Sequence, residues 1–412
     1  MGKSLWILNH YAISPDMPGG TRHFDLGREL VKDGHDVSIF ASGFNHHIHQ
    51  YIKVSPKEKM RVEEYDGVRF IWVNTIPYYG NNWRRVVNML SYGWRVIGCT
   101  RGLPKPDAVI GSSMHPFAAL AGWWLARRYK AKFIFEVRDL WPQTAVDMGA
   151  MKKNSLPAKL LYAWEKFMYN KAEKTIVLLP YAKDYVTRIG ISPEKVFWLP
   201  NGVNLEGFDH PAPLEPGSEV AEVFEQCHDK FKVVYTGAHG PANGLEIIIS
   251  AASILQDNGL EIHFFLIGDG PDKNRLISVA KEKRLNNVSF LPPVSKALVP
   301  SILERADLLV HTIKKIEVLQ YGMSPNKMYD YLASAKPIVT SIEAKNNPVE
   351  EANAGISVEP ENPEALAGAI IEISKLTEQE RRELGRNGRG YVEQFHNIKV
   401  LAKNLEHLLG FK

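Results

Sequence analysis

The chain has 412 residues, which is too long for one ordinary doubly wound domain and suits two domains of about 200 residues each. Hydrophobic residues make up 45% and charged residues 23%, a composition that supports packed cores and excludes a disordered chain. Residues 1–200 carry 28 Lys and Arg against 17 Asp and Glu, whereas the remainder carries 22 against 29. The acidic second half argues against a nucleic-acid-binding protein.

Short apolar runs rich in Val, Ile and Phe alternate with amphipathic segments of helix length through nearly the whole chain. This alternation predicts an α/β fold with parallel sheets covered by helices. Strands are predicted at residues 5–8, 36–41, 68–72, 108–111, 132–136, 174–178, 232–236, 263–268, 288–291, 308–311 and 337–340. Helices are predicted, among other places, at residues 20–34, 244–258, 271–283 and 326–335.

The chain shows no signal for export or for a membrane span. The apolar run at residues 5–8 is too short for a signal peptide. The uncharged stretch 108–126 has the length of a span, but polar residues and a proline interrupt it, which favours a strand, a loop and a buried helix. Cys99 and Cys227 lack the spacing of a disulfide framework or a zinc site. We therefore expect a cytoplasmic protein without a disulfide framework or a zinc site.

A Pro-Asn-Gly turn at residues 200–202 follows an apolar strand and marks the predicted domain junction. Residues 1–200 would form the first domain and residues 201–390 the second. Residues 391–412 are predicted as a C-terminal helix that packs back towards the first domain.

Residues 80–106 contain five cations and no acid, interleaved with Trp83, Tyr92 and Trp94. A basic, aromatic surface suits an anionic lipid-linked acceptor or the inner face of the cytoplasmic membrane. A solvated helix face is the alternative. The candidate contacts are Arg84, Arg85 and Arg95.

The turn after the first predicted strand lacks the Gly-x-Gly-x-x-Gly pattern, which excludes a dinucleotide fingerprint and disfavours a nicotinamide dehydrogenase. Gly19 and Gly20 instead stand directly before a helix, where backbone N–H groups can approach a phosphate closely. A flexible turn with a helix cap is the alternative interpretation.

Polar residues also follow the fourth and fifth predicted strands. His115 lies at the carboxyl end of a strand, where open α/β sheets bind ligands, although a lone histidine is often structural. Glu136, Arg138 and Asp139 end the next strand, so they must pair with one another or face a ligand. Glycine-rich turns follow two strands of the second half. Those turns contain Gly237, His239 and Gly268.

The segment 324–330 combines several features of an anion site. Ser324 is predicted to cap a helix that starts at Pro325, which would leave the N–H groups around Asn326 free, and Lys327 adds a positive charge in the first turn. This combination predicts a diphosphate site. Asp330 shares a helix face with Lys327, where it could accept hydrogen bonds from a ribose diol. A surface Lys–Asp pair is the alternative.

The order and spacing of these motifs resemble glycosyltransferase family 4 over nearly the whole chain. The similar segments are 18–20, 34–37, 200–203, 266–271 and 324–339. The Arg-Asp-Leu-Trp-Pro run at 138–142, together with 324–327, further resembles a branch with bacterial N-acetylfucosamine and related aminosugar transferases of O-antigen and capsule assembly.

The resemblance implies the GT-B fold, in which two Rossmann-like domains face each other across an interdomain cleft. It also implies a retaining transfer from a nucleotide diphosphate sugar, uridine-linked in this branch, to a lipid-linked or saccharide acceptor of bacterial surface polysaccharide assembly. The second domain would hold the donor, and the first the acceptor.

The resemblance also assigns roles to individual residues. It implies that Gly19 and Gly20 approach the donor phosphates, that His115 contacts the sugar near the reacting centre, and that Asp330 holds the ribose. Lys327 and the helix start would neutralise the diphosphate leaving group, so no metal or other cofactor is expected.

Two departures from the family pattern stand out. Ala238 and Asn243 occupy positions where the family carries Arg and Lys, so Lys327 and Arg138 would carry more of the phosphate charge. The paired-glutamate motif has Gly322 in its first place and Asp330 in its second, with Glu317 nearby as a substitute contact to the donor sugar.

Two other functions remain open from the sequence. A nucleotide-sugar epimerase would need a cluster of acids and histidines around the donor, and none is recognisable. A non-catalytic protein that binds a nucleotide sugar is favoured by the two missing cations and would be excluded by turnover.

Overall fold

The structure, a computed structural model, describes residues 2–46, 48–80 and 82–411. The chain divides into two compact units. Unit 1 comprises Met1–Pro15, Thr21–Pro200 and Ile398–Lys412, and unit 2 comprises Asp16–Gly20 and Asn201–Asn397. Each unit is an α/β body built on a parallel sheet, as the sequence predicts.

Unit 1 is built on a sheet in which nearly all strands run parallel. Its strands are β1 (Ser4–Leu8), β2 (Asp36–Ser42), β3 (Phe44–Asn45), β4 (Gln50–Tyr51), β5 (Met60–Tyr65), β6 (Val68–Val73), β7 (Ala108–Ser112), β8 (Lys132–Val137), β9 (Lys174–Val177) and β10 (Val196–Trp198). The main sheet has the order β10-β9-β8-β7-β1-β2-β6-β5, and β3 and β4 form a separate antiparallel pair. β1 and β7 are buried along their whole length because helices cover both faces of the sheet.

The helices of unit 1 cover the two faces of this sheet in two groups. They are α1 (Arg22–Lys32), α2 (Trp83–Gly98), α3 (Pro116–Tyr129), α4 (Gln143–Asp147), α5 (Leu156–Lys171), α6 (Ala182–Arg188) and the last helix of the chain, α16 (Ile398–Leu409). Right-handed crossovers place α2, α3 and α5 on one sheet face and α1 on the other. Consistent with this placement, α2 packs against α3, α3 against α5, and α1 against α16.

Strand β5 of the main sheet has no counterpart among the predicted strands. It pairs antiparallel with β6, and each of its residues is exposed or half-buried, so it carries no apolar run. Asp66 and Gly67 join the two strands with φ angles of 47° and 78°, the left-handed geometry of a tight two-residue hairpin. The Asp-Gly dipeptide was therefore the available signal.

Unit 2 carries a fully parallel sheet with the order β13-β12-β11-β14-β15-β16. The strands are β11 (Phe231–Thr236), β12 (Ile262–Ile267), β13 (Val288–Leu291), β14 (Leu308–Thr312), β15 (Ile338–Ser341) and β16 (Gly355–Val358). The helices are α7 (Glu206–Asp209), α8 (Glu219–Gln226), α9 (Glu246–Asp257), α10 (Lys273–Glu282), α11 (Val299–Glu304), α12 (Asn326–Ala333), α13 (Pro348–Glu351), α14 (Pro363–Lys375) and α15 (Glu378–Phe395).

The core of unit 2 forms one layer on each side of this sheet. Val234 and Phe265 belong to one buried cluster, and their chain neighbours Val233 and Phe264 belong to another. Successive strand residues point to opposite faces, so the two clusters lie on opposite sides of the sheet. In both units, the strands predicted from apolar runs agree with the structure to within one residue at each end.

The C-terminal segment differs from its prediction as one helix over residues 391–412. Helix α15 continues to Phe395 within unit 2, and α16 begins at Ile398 within unit 1. His396 interrupts the helix because its carbonyl accepts a hydrogen bond from Val203 N at 2.9 Å and its Nδ1 lies 3.1 Å from the Asn201 carbonyl. The expected boundary at residue 391 is therefore wrong, and the chain leaves unit 2 after Asn397.

The segment Asp16–Gly20 also departs from the predicted first domain of residues 1–200, since it groups with unit 2. A Cβ atom on Gly20 would lie 2.3 Å from Nδ2 of Asn326, so the backbone here approaches the start of α12. Glycine permits this approach because it has no side chain.

Candidate functional site

In unit 2, two glycine turns meet at the carboxyl ends of β11 and β12. Gly237 has a φ of 136°, and a Cβ there would lie 2.7 Å from Nζ of Lys327. Gly268 has a φ of 151°, and a Cβ there would lie 1.9 Å from the Gly237 carbonyl oxygen. Backbone packing therefore requires glycine at 268, and the positive φ favours glycine at 237, so the two turns lie together beside the first turn of α12.

Lys327 is the charged residue at the centre of this region. Its half-buried side chain donates a hydrogen bond to the Tyr235 hydroxyl, and Nζ lies 4.1 Å from the centroid of that ring. Asn243 Oδ1 lies 3.4 Å from Nζ, and the Ala238 carbonyl accepts hydrogen bonds from both Tyr235 and Asn243. The two positions that lack the family's cations thus hold Lys327 in place.

The charge state of Lys327 is unusual. Burial lowers the pKa of its amine from 10.5 to about 7. A nearby anion favours the protonated form, because the Coulomb attraction offsets the desolvation of the ammonium. Near neutral pH this amine therefore lies at its titration midpoint and can respond to an incoming phosphate.

Two buried histidines accompany Lys327. Both ring nitrogens of His239 and of His311 lack a hydrogen-bond partner within the described part of the chain. Burial, followed by repulsion from Lys273 and Lys327, lowers the pKa of His239 to about 4, and burial followed by Lys327 holds the pKa of His311 well below 6.5. Both rings are therefore neutral, and each retains one N–H donor.

Asp330 has a different partner from Lys327. Its buried carboxylate forms an ion pair with Lys296, which lies beyond the end of β13. Burial raises the pKa of Asp330, and Lys296 opposes that change. The shared helix face of Lys327 and Asp330 stays a prediction, and so does the ribose contact: Lys327 bonds to Tyr235, whereas Asp330 pairs with a second cation, Lys296.

The predicted capping role of Ser324 is also wrong. Its hydroxyl accepts a hydrogen bond from Asn201 N at 2.9 Å and lies 3.2 Å from the Tyr329 hydroxyl. Helix α12 begins at Asn326 after Pro325, and no side chain in the described part of the chain caps it. Because the Ser324 hydroxyl bonds to Asn201 instead, the N-terminus of α12 has no side-chain cap among the described residues.

The substitute contact Glu317 is exposed, in the helical turn Glu317–Tyr321 that leads to Gly322. Gly322 has a φ of 89°, which favours glycine at this position of the altered paired-glutamate motif.

In unit 1, His115 lies at the N-terminus of α3. Its Nδ1 accepts a hydrogen bond from Ala118 N at 3.0 Å, so the remaining proton of the neutral ring is on Nε2, which has no partner among the described residues. The side chain is 1% exposed. Burial, followed by His10, holds the pKa of His115 well below 6.5. His115 therefore keeps one buried, unused donor.

His10, which follows β1, stacks on His115 with ring centroids 4.5 Å apart and planes at 17°. Its Nε2 lies 2.9 Å from Oδ1 of Asn88, whose amide nitrogen donates to Thr75 and to the Ile76 carbonyl. Nε2 of His10 is thus the donor, and Nδ1 is an acceptor without a partner in the described residues. Burial lowers the pKa of His10 to about 3. The stacked pair presents one fixed donor and one fixed acceptor.

Glu136 does not face a ligand. Its carboxylate accepts hydrogen bonds from Nε of Arg22 at 3.0 Å and from Ser112 at 2.7 Å, and it lies 2.7 Å from Nε2 of His23. Burial alone would raise the pKa of Glu136, but His23 and Arg22 outweigh it and hold that pKa well below its usual range. Arg22 also donates to the carbonyls of Leu199 and Pro200, so this network is structural.

Arg138 is half-buried, and its guanidinium has no hydrogen-bond partner among the residues that the structure describes. Its backbone N donates to the Ser113 hydroxyl at 3.1 Å. Burial raises the pKa of Asp139, and Arg138 opposes that change. Of the three charges that follow β8, Arg138 is thus the one with donors left for a ligand.

The three candidate arginines of α2 have different environments. Arg84 is exposed beside Trp83, with 5.8 Å between its guanidinium carbon and the ring centroid. Arg85 is half-buried and hydrogen-bonded to Tyr11. Arg95 donates to the backbone and side-chain oxygens of Asn74 at 3.0 and 2.6 Å. Arg84 alone of these three is an outward-facing cation without such a bond.

Sequence reasoning missed His10, Lys296 and His311. His10 and His311 stand at the ends of β1 and β14, and a search for polar residues at the carboxyl ends of parallel strands would have found both. Lys296 begins the short 3-10 helix Lys296–Leu298, and its pairing with a residue 34 positions away has no local signal.

Two family profiles match the chain. The first, described as glycosyl transferase 4-like domain, covers residues 19–202, and the second, described as glycosyl transferases group 1, covers residues 220–391. The chain belongs to the family 4 glycosyltransferases. Its two Rossmann-like sheets are those of the GT-B fold.

Individual proteins agree with this assignment. The glycosyltransferase is 26% identical over 272 residues to WcaI of Escherichia coli K12, named for colanic acid biosynthesis, and the match covers 65% of this chain and 66%, just under two thirds, of that relative. Sucrose-phosphate synthase from Thermosynechococcus elongatus has a TM-score of 0.75 at 18% identity over 100% of this chain and 99% of its own. Anabaena Alr3699/HepE in complex with UDP-glucose has a TM-score of 0.66 at 14% identity over 100% of both chains.

The described residues of this glycosyltransferase contain neither a membrane-spanning helix nor a metal-binding cluster. Across residues 2–46, 48–80 and 82–411, no helix is both long and apolar enough to cross a bilayer. The same ranges contain no group of three or more His, Cys, Asp or Glu side chains placed to hold a metal ion. Metal independence stays a prediction.

Proposed function

We propose that this glycosyltransferase moves a sugar from a uridine diphosphate donor to a lipid-linked glycan of bacterial surface polysaccharide assembly, with retention and without a metal. The observation that carries the donor assignment is Lys327, a partly desolvated amine in the first turn of the uncapped helix α12. A helix N-terminus and an ammonium group together favour a diphosphate.

The reaction requires little covalent chemistry from the protein. The bond between the anomeric carbon and the diphosphate oxygen breaks, and the acceptor hydroxyl forms the new bond on the same face of the sugar. The hydroxyl proton leaves with the nucleoside diphosphate. Lys327 and the N–H groups of α12 stabilise the negative charge that develops on the leaving oxygen, which is the role a divalent ion has elsewhere.

The ribose contact takes a different form from the sequence expectation. Lys296 and Asp330 form a buried ion pair, so a ribose diol would meet both a donor and an acceptor there. A side chain at Gly237 would lie against Nζ of Lys327, so the glycine leaves that amine open to a phosphate.

The proposed role of His115 follows from its unused donor. Together with the free Nδ1 of His10, it offers a hydroxyl group both a donor and an acceptor, which suits a carbohydrate. Names of relatives support polysaccharide assembly as the setting, since WcaI is named for colanic acid biosynthesis. The outward-facing Arg84 of α2 suits the anionic part of a lipid-linked acceptor.

A thermal-shift series with uridine, guanosine and adenosine diphosphates in the presence of a chelator tests the donor assignment. A ligand that binds the folded state raises the melting temperature. We expect the uridine diphosphate to raise it most, and a requirement for added metal would contradict the mechanism. Product analysis of the anomeric linkage by nuclear magnetic resonance then tests retention.

A non-catalytic nucleotide-sugar-binding protein is the second candidate. The observations that favour it are the absence of the family's cations at Ala238 and Asn243 and the occupation of Asp330 by Lys296. Nucleotide binding without release of uridine diphosphate from any sugar donor would establish it.

A further inference from the structure

Helix α2 has an apolar stripe that faces solvent. Trp83, Val86, Leu90 and Trp94 follow one another at spacings of three and four residues, so they share one helix face. Their exposed fractions are 70%, 50%, 48% and 81%. The opposite face, with Asn88, Tyr92 and Val96, is buried. A helix with an apolar face on both sides has a second surface to cover.

Helix α5 repeats this pattern on the same side of the sheet. Leu156 and Leu160 are 70% and 62% exposed, and they are four residues apart. Along the same face, Phe167 packs edge-on against Trp123 of α3, with ring centroids 5.2 Å apart. Trp124, also on α3, is 39% exposed. The exposed apolar residues of α2, α3 and α5 thus belong to three helices that cover one sheet face and pack in sequence, hereafter the three-helix face.

The three-helix face is positively charged. The three helices carry eight Lys and Arg residues, and their one acid, Glu165, is buried and bonded to the hydroxyls of Tyr169 and Tyr185. Guanidinium groups lie beside the exposed rings, since Arg128 is 5.3 Å from the centroid of Trp124. Tryptophan, aliphatic side chains and cations together match the boundary between acyl chains and anionic headgroups.

We propose that the three-helix face docks on an anionic phospholipid bilayer, with Trp83, Trp94 and Leu160 entering the headgroup boundary and the cations contacting lipid phosphates. Charge complementarity selects this occupant, because a face without exposed acids on its helices offers no self-complementary ion pairs to a second copy. The inference deepens the proposed lipid-linked acceptor, since it would bring unit 1 to the surface where such an acceptor is embedded.

Flotation of the full chain with vesicles tests the docking. We expect binding to vesicles rich in phosphatidylglycerol, weaker binding to phosphatidylcholine alone, and loss of binding at high salt. All nine tryptophans lie within residues 1–200, so tryptophan emission reports on unit 1. It should shift to shorter wavelength on binding and be quenched by lipids brominated near the headgroup.

Two pairs of substitutions separate the apolar contribution from the charge contribution. Trp83→Ala with Trp94→Ala should weaken vesicle affinity about tenfold or more. Arg128→Gln with Lys159→Gln should weaken it roughly fivefold for each charge removed. The matched controls are Trp198→Ala, a 51% exposed tryptophan on β10, and Lys399→Gln with Lys403→Gln on α16, on the other side of the sheet. The controls should bind as the parent chain does.

Equal binding of the parent and the Trp83/Trp94 variant, or no preference for anionic lipid, would overturn the proposal. A concentration-dependent dimer in analytical ultracentrifugation that the same variant abolishes, without vesicle binding, would assign the face to a second copy instead. The melting shift with uridine diphosphate is measured on every preparation. A retained shift shows that the variant is folded, and it separates a failure of membrane docking from a failure of the proposed donor function.

Discussion

Both units bury histidines that have unused hydrogen-bonding atoms, but the two units differ in whether a carboxylate neutralises their central cation. In unit 1, the buried cation Arg22 is neutralised by Glu136 and bonded to backbone carbonyls, while His10 and His115 stay neutral. In unit 2, Lys327 has hydroxyl and amide partners, no carboxylate of the described residues lies within bonding distance of it, and its pKa lies near 7.

The difference separates two kinds of recognition. Neutral donors and acceptors suit sugar hydroxyls, whereas an uncompensated amine beside a helix N-terminus suits a phosphate. The charge of Lys327 in unit 2 is therefore expected to affect the transfer rate. The buried charges of Arg22 and Glu136 in unit 1 are expected to affect the free energy of unfolding. Four substitutions or titrations test this contrast.

The largest effect is expected from Glu136→Gln in unit 1. Removing one partner of a buried ion pair leaves Arg22 uncompensated, which costs about 3–5 kcal/mol of unfolding free energy. Urea denaturation followed by tryptophan emission measures this, because all nine tryptophans belong to unit 1. Affinity for uridine diphosphate should stay unchanged.

Glu64→Gln is the matched control, since Glu64 is exposed on β5 of the same unit. Its effect should remain within about 0.5 kcal/mol. A Glu136 variant as stable as this control would mean that Arg22 does not depend on the carboxylate, and that the contrast between the two units is false.

Lys327→Met should lower the transfer rate by about 10²–10³-fold, because the leaving diphosphate loses one preorganised charge. Lys336→Met is the control, since Lys336 is also a half-buried lysine in unit 2, beyond the end of α12. Calorimetry and a uridine diphosphate release assay separate binding from turnover. Full activity of the Lys327 variant would remove the diphosphate assignment.

His115→Asn keeps an acceptor for the Ala118 N–H and removes the Nε2 donor together with the ring that stacks on His10. We expect kcat/KM to fall by roughly 5–150-fold, as for a lost hydrogen bond worth about 1–3 kcal/mol, and the melting temperature to fall less than in His115→Ala. His115→Ala should lower both kcat/KM and the melting temperature, because it also removes the helix cap, and a missing cap costs about 1 kcal/mol. If the two variants had the same activity and stability, His115 would be a capping residue alone.

The sheets could be predicted because strands buried on both faces appear in the sequence as continuous apolar runs, as β12 (Ile262–Ile267) does. The exposed edge strand β5 lacks that signal. Lys327 and His115 could be predicted as site residues because helices begin beside them at the carboxyl ends of parallel strands.

The hydrogen-bond and ion-pair partners of the site residues could not be predicted, because they come from distant parts of the chain. Ser324 has a good capping sequence, yet Asn201, 123 positions earlier, takes its hydroxyl. Asp330 lies on the same helix as Lys327, yet its carboxylate forms an ion pair with Lys296. Local spacing fixes which helix face a residue occupies, but a buried polar group bonds to whichever complementary group packing brings near it.

The smallest effect, and the most diagnostic, is the pH dependence of uridine diphosphate binding. Unliganded Lys327 has a pKa of about 7, and a bound diphosphate should raise it, so binding takes up a proton above neutral pH. Affinity should then fall as pH rises from 7, by at most about tenfold per pH unit, and level off above the pKa of the complex. His239 and His311 have pKa values too low to contribute there.

Calorimetry in two buffers of different ionisation enthalpy counts the protons that are taken up on binding. Lys327→Arg should remove the uptake because a guanidinium stays charged throughout. Uptake that persists in the arginine variant would place the titrating group elsewhere and end the assignment of variable charge to Lys327.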